Sequence, residues 1–122
     1  MDSIGYARVS RPHQDLDGQE KRVTSLALRH GYYEPGILGE VAHRFSPIED
    51  RPNGSELIRC LHTTRHPLCL ESVDRIGGTE QVIRFAKDHV RETGHRFYIS
   101  KQSNCAVQSN KKTLLFIICR VL

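Results

Sequence analysis

The chain has 122 residues, enough for a single core and too few for two ordinary domains. Apolar residues make up 38% and charged residues 26%, mean hydropathy is −0.47, and no run approaches the roughly 18 apolar residues of a membrane span, so a membrane protein is not expected. The net charge of +4 suits a polyanionic partner without specifying one, and the start MDSIGYARVS lacks the basic end and apolar run of a secretory signal, so the reading is cytoplasmic.

Ile4 to Val9 reads as a first strand, with Ile4, Tyr6 and Val9 favouring β structure. A helix is expected from about Asp15 to Asp17, with Asp17 and Glu20 resembling a capping box, Leu16, Val23, Leu26, Ala27 and His30 at helical intervals, and Gly31 as the stop. Gly36 to Val41 is a second strand. His43 to Gly54, polar and interrupted by two prolines and a glycine, reads as a functional loop. From Ser55 a second helix carries Leu57, Ile58 and Leu61 inward and ends before Pro67, and Leu68 to Val73 is a third, buried strand. Thr79 is the expected cap of a third helix bearing Val82, Ile83, Phe85, Ala86 and Val90; Gly94 ends it, and Arg96 to Ser100 is a fourth strand. Lys101 to Asn110 reads as a loop, and Thr113 to Leu122 as a buried strand or the start of a helix.

This alternation implies an α/β fold: a three-layer domain whose mostly parallel sheet of four or five strands is flanked by helices. In such sheets functional groups gather beyond the carboxyl ends of the strands. Ser10 lies just past the first strand, and Asp74 and Arg75 just past the third, so two distant segments meet at one edge. Strand alternation puts Tyr6, Arg8 and Ser10 on one face. A serine among arginines suits phosphoryl transfer, because guanidinium forks match phosphate oxygens two at a time.

The cysteines Cys60, Cys69, Cys105 and Cys119 form no CxxC pair and read as reduced thiols. Cys60, His62, His66 and Cys69 crowd together, and His62 and His66 are spaced for one helix face. Pro67 interrupts that helix and the spacing matches no standard zinc finger, so solvated histidines are the plainer reading and no metal is expected.

The segment IGYARVS, followed by Gln14 and Leu16-Asp17-Gly18-Gln19, resembles the N-terminal signature of serine recombinases of the resolvase/invertase kind. Asp50-Arg51-Pro52-Asn53-Gly54 is similar to that family's DRPG segment, and Val73-Asp74-Arg75-Ile76-Gly77 to its LDRLGR segment, in the family's order. The resemblance implies that Ser10 attacks phosphorus and becomes joined to the 5′ phosphate, leaving a 3′ hydroxyl. It implies that Arg8, Arg51 and Arg75 hold the phosphate and stabilise its charge, and that Asp74 positions an arginine or protonates the leaving oxygen. Gln14 and Gln19 would order the site, with Tyr6 in support. It also implies DNA as partner, a homodimer assembling to a tetramer when active, and no cofactor, whether metal or nucleotide.

Two positions depart from the family pattern. The last arginine of LDRLGR is here Gly78, and losing a cation at a phosphorane costs about 3 kcal/mol by analogy with removal of one oxyanion donor; Arg84, a turn further on, is no simple replacement. Near Glu40 the family usually has an aspartate. Residues 1–110 are therefore expected to form the catalytic domain and 111–122 the start of a long dimerisation helix, with an apolar stripe of Leu114, Leu115, Ile117, Ile118 and Val121. These 122 residues contain no DNA-binding helix-turn-helix, as in an excised catalytic domain or a naturally short relative. The leading expectation is a site-specific DNA recombinase. The alternative is a catalytically impaired resolvase-like module acting through a complete recombinase or another protein. A third reading, an unrelated flavodoxin-like binding domain, has no glycine-rich phosphate loop to support it.

Overall fold

A computed structural model of the chain describes residues 1–91 and 94–100. Four parallel strands, β1 (Ser3–Val9), β2 (Pro35–Val41), β3 (Leu68–Leu70) and β4 (Phe97–Ile99), form one sheet in the order β2-β1-β3-β4. Helix α1 (Leu16–Arg29) covers one face, and α2 (Pro52–Thr63) and α3 (Thr79–Phe85) pack on the other, giving the expected three layers. Among the described residues no helix is long and apolar enough to cross a membrane.

The two faces follow from the alternation along β1, which is buried throughout. Ile4 and Tyr6 enter the larger core with Leu57, Leu61, Leu68, Leu70, Val82 and Phe85. Toward α1 the strand presents small residues, including Gly5 and Ala7, beneath Val23, Leu26 and Ala27. A β-carbon on Gly5 would stand 2.5 Å from Ile37 Cδ1 and 2.6 Å from Val23 Cγ1, so α1 sits as close as glycine allows.

Several local expectations are corrected. Asp15, not an Asp17–Glu20 box, caps α1: its carboxylate accepts the Gly18 N–H at 2.8 Å, while Asp17 pairs with Lys21 at 3.1 Å one turn on. Helix α2 starts at Pro52 rather than Ser55, because proline at the first helical position lacks only an N–H that has no intrahelical partner anyway. The loop before it contains a 3₁₀ turn, Ile48–Asp50, which buries Ile48. The third strand is only Leu68–Leu70, and Val73–Arg75 forms a 3₁₀ turn. Gly78, not Thr79, is the N-cap of α3, and Gln81 Oε1 accepts its N–H at 2.8 Å. Helix α3 continues into a π-helical turn, Ala86–Arg91. Gly31 (φ +87°) follows α1 in the left-handed conformation the sequence suggested. The expected loop Lys101–Asn110 and terminal segment Thr113–Leu122 lie outside the described residues.

The four crowded cysteines and histidines diverge. Cys60 faces the larger core and Cys69 the smaller one across the sheet, where burial pushes its thiol up to about 11. His62 Nε2 instead lies 2.8 Å from His89 Nδ1.

The close approach at Gly5 yields a test. Gly5→Ala is expected to destabilise the domain by about 1–3 kcal/mol through overpacking. Urea denaturation reads it, and an unchanged midpoint would show that α1 shifts freely.

Candidate active site

Three segments leave the carboxyl edge of the sheet side by side: Ser10 after β1, Ala42 to Pro47 after β2, and Ser72 to Gly78 after β3. Parallel pairing of Val9 with Val41, and the Ala42 N–H bonded to Val9 O at 2.9 Å, hold the first two together.

Arg8 and Arg51 tie in the third. Arg8 is 4% exposed; its Nε donates to Arg75 O (3.1 Å), Nη1 to Ala42 O (2.9 Å) and Nη2 to Asp74 O (3.1 Å). Arg51, 2% exposed, donates through Nη1 to the same Arg75 oxygen (3.0 Å) and to Tyr6 Oη (3.2 Å). Its Nη2 reaches Arg44 O (3.0 Å) and Ser46 O (2.8 Å), and its Nε reaches Ser46 O (3.1 Å). Every nitrogen of both guanidiniums is thus engaged. Their acceptors are carbonyl and hydroxyl oxygens, and among the described residues neither guanidinium forms an ion pair. Two positive charges are therefore held at this edge by dipoles that do not cancel them. Burial, then the neighbouring Arg51 and Arg75, pushes the Arg8 pKa below its ordinary value.

Arg75 is the more accessible cation, its side chain 25% exposed. Its Nη1 donates to Arg8 O (3.2 Å), Nη2 lies 3.6 Å from Glu71 Oε1, and Nε lies 3.7 Å from Asp74 Oδ1. The Ser72 hydroxyl donates to the same Asp74 oxygen. Gln19, buried, brackets the Arg8 backbone: its Oε1 accepts the Arg8 N–H (2.9 Å) and its Nε2 donates to Arg8 O (3.1 Å). The end of β1 is therefore clamped from α1 by an amide and from the β3 side by Arg75.

Ser10, exposed, lies two residues beyond that clamp. Its hydroxyl donates to Gln14 Oε1 (3.0 Å), which also accepts the N–H groups of Ser10 (2.8 Å) and Arg11 (3.0 Å). With its hydrogen so directed, the hydroxyl keeps its lone pairs for an approaching electrophile.

Of the residues marked from sequence, Tyr6, Arg8, Arg51, Asp74 and Arg75 form one bonded network, to which Gln19 is joined through the Arg8 backbone. Ser10 and Gln14 form a second group, and among the described residues no hydrogen bond or ion pair of their side chains joins it to the first. Sequence reasoning missed Glu71, buried at the end of β3, where Arg22 Nε bonds its Oε2 at 2.9 Å. A carboxylate directly after the apolar run Leu68-Cys69-Leu70 was the available signal. It also undervalued Glu40, which accepts the Tyr6 hydroxyl through Oε2 and the Asn53 N–H through Oε1 (3.0 Å) at the start of α2. Placing a carboxylate at a helix N-terminus is favourable, and the longer glutamate spans from β2 to α2.

Tyr6 is the joint between Glu40 and Arg51. Burial, and then the hydrogen bond to Glu40, raises its phenol well above the ordinary value of 10. The folded state thus favours the neutral phenol, so this stabilisation is complete below pH 10 and is lost as pH rises above that value. Tyr6→Phe is expected to lose about 1–2 kcal/mol at neutral pH and to narrow its gap to the parent chain above pH 10. Urea denaturation across pH checks this; a gap that stays constant would mean the phenol ionises as it does in solvent.

Gly78 has ordinary backbone (φ −72°), and a β-carbon there would meet Phe45 Cε1 at 3.4 Å. Phe45 is 62% exposed and has room to yield. Gly78→Arg is expected to fold with a loss below about 1 kcal/mol, read by thermal unfolding. A larger loss would mean that Phe45 is locked in place.

No curated protein matches the chain. The family model for the resolvase N-terminal domain matches residues 3–122. The parallel sheet, the arginine network at its carboxyl edge and this match over nearly the whole length agree, and the chain belongs to the resolvase N-terminal domain family, the catalytic domain of serine recombinases.

Proposed function

We propose that the chain cleaves and rejoins DNA strands through Ser10. The serine oxygen attacks a backbone phosphorus, the bond from phosphorus to the 3′ oxygen breaks, and a 5′-phosphoserine link forms. The serine proton passes to solvent and the departing 3′ oxygen takes one up, so the step is balanced. Rejoining is the reverse, and the ester conserves the bond energy without a nucleotide or metal.

The observation that carries this reading is the pair of buried guanidiniums of Arg8 and Arg51, bonded to neutral oxygens beside the segment that presents Ser10. Cations fixed in advance at a water-poor edge stabilise the charge of a phosphorane without reorganising during the reaction. Arg75, the most accessible of the three, is assigned the direct phosphate contact. Arg8 and Arg51 supply field and position, and would reach phosphate only by exchanging carbonyl partners. Asp74 is assigned to positioning, since one of its oxygens takes the Ser72 hydroxyl and faces Arg75 Nε. Gln14 orients the nucleophile and Gln19 the strand that carries it. Residues 1–110 are assigned as the catalytic domain and 111–122 to the pairing of protomers into dimers and then a tetramer on two duplexes.

The test is a nicked DNA substrate that traps cleaved strands, with the chain delivered by a fused DNA-binding domain. Mass spectrometry is expected to find a nucleotide adduct on Ser10 and none in Ser10→Ala. No adduct in the fused protein would end the catalytic reading. A second reading, an impaired module that works through a complete recombinase, is favoured by Gly78, which carries no cation. It gains if the adduct forms only after Gly78→Arg.

A further inference from the structure

We infer that Arg44 is a DNA-phosphate contact of this site, seated on Phe45, which in turn rests against Gly78. The inference deepens the strand-cleavage reading and rests on it for the identity of the anion.

The guanidiniums of Arg8 and Arg51 are fully engaged by main-chain and hydroxyl oxygens, and Arg75 is shared among Arg8 O, Glu71 and Asp74. Arg44, on the loop leaving β2 at the same edge, differs from all three. No hydrogen bond or ion pair engages its guanidinium among the described residues; its Nε–H, like that of Arg75, is buried without a hydrogen-bond acceptor, but Arg75 has other partners and Arg44 has none. Its guanidinium lies over the Phe45 ring, with Cζ 5.3 Å from the centroid. A buried N–H lacking an acceptor is unfavourable, and a phosphate oxygen is the acceptor such a donor suits.

The seat is built. Arg51 Nη2 holds the Arg44 carbonyl at 3.0 Å, Gln81 Nε2 holds the Phe45 carbonyl at 3.3 Å, and the Ser46 hydroxyl returns to His43 O at 2.7 Å. The loop backbone is therefore fixed from the start of α2 and from α3, while the Arg44 head is left to a ligand. Gly78 borders the ring: a β-carbon at position 78 would lie 3.4 Å from Phe45 Cε1, in van der Waals contact with it. Arg51 acts here as a positioning residue for Arg44.

The test titrates the chain, fused to the same DNA-binding domain, with the labelled nicked duplex over a range of salt and, in the same samples, measures the Ser10 adduct. Arg44→Gln and Arg44→Ala are expected to bind about tenfold more weakly at low salt, with the slope of log affinity against log salt shallower by about 0.9, one phosphate's worth. Arg44→Lys is expected to keep the parent slope, and Arg29→Ala, on the last turn of α1 at the opposite edge, to match the parent throughout. Slopes for Arg44→Gln and Arg44→Ala equal to the parent's overturn the inference, and so does Arg44→Lys losing the slope as fully as alanine, which would assign the effect to loop structure. An Arg44-dependent slope without any Ser10 adduct supports the contact and sinks strand cleavage alone. An adduct with an Arg44-independent slope does the reverse.

Discussion

A single carbonyl oxygen, that of Arg75, accepts hydrogen bonds from two buried guanidiniums, Arg8 on β1 and Arg51 at the entrance to α2. Through it the exits of β1 and β3 and the loop after β2 become one unit. Burying an arginine is unfavourable unless its donors are met, and here the available acceptors are the backbone oxygens of segments leaving the sheet. Satisfying the two cations therefore dictates where those segments run. Removing Arg8 would leave the Ala42 and Asp74 carbonyls without this donor, and removing Arg51 would release the carbonyls of Arg44 and Ser46 and so free the loop that carries them.

The same arrangement sets the electrostatics. The carboxylates at this edge are placed beside the two central cations rather than on them: Glu40 takes Tyr6 and the start of α2, Glu71 takes Arg22 and faces Arg75, and Asp74 takes Ser72. Carbonyl dipoles stabilise Arg8 and Arg51 without neutralising them, so both keep their charge at the edge from which the segment with the exposed serine leaves. A structure that merely needed stability would be served as well by apolar residues in those positions. Retaining two such cations is intelligible if an anion arrives.

Much of this was legible in the sequence. The four-strand alternation and the three layers follow from the spacing of apolar runs and turn residues, and parallel topology sends the segments after β1 and β3, with Ser10 on one and Asp74 and Arg75 on the other, out of the same edge of the sheet. The errors were local. The start of α2 was set three residues late because Pro52 reads equally well as a loop residue, and β3 was drawn too long because Val73 continues an apolar pattern that the backbone abandons after Leu70. Arg8, Arg51 and Arg75 stood out through their resemblance to a known pattern, whereas Glu71 and Arg44 stood outside any motif.

Residue type and order alone determined the layered parallel sheet, the edge at which its chemistry gathers and the kind of group gathered there, because hydrophobic period and chain direction act over a few residues at a time. What only the tertiary structure decided is how each cation is used: Arg8 and Arg51 bound to carbonyls, Arg75 shared with two carboxylates, Arg44 left on an aromatic ring. A guanidinium's partners are set by which backbone oxygens distant segments bring within about 3 Å, and that distance belongs to the assembled fold.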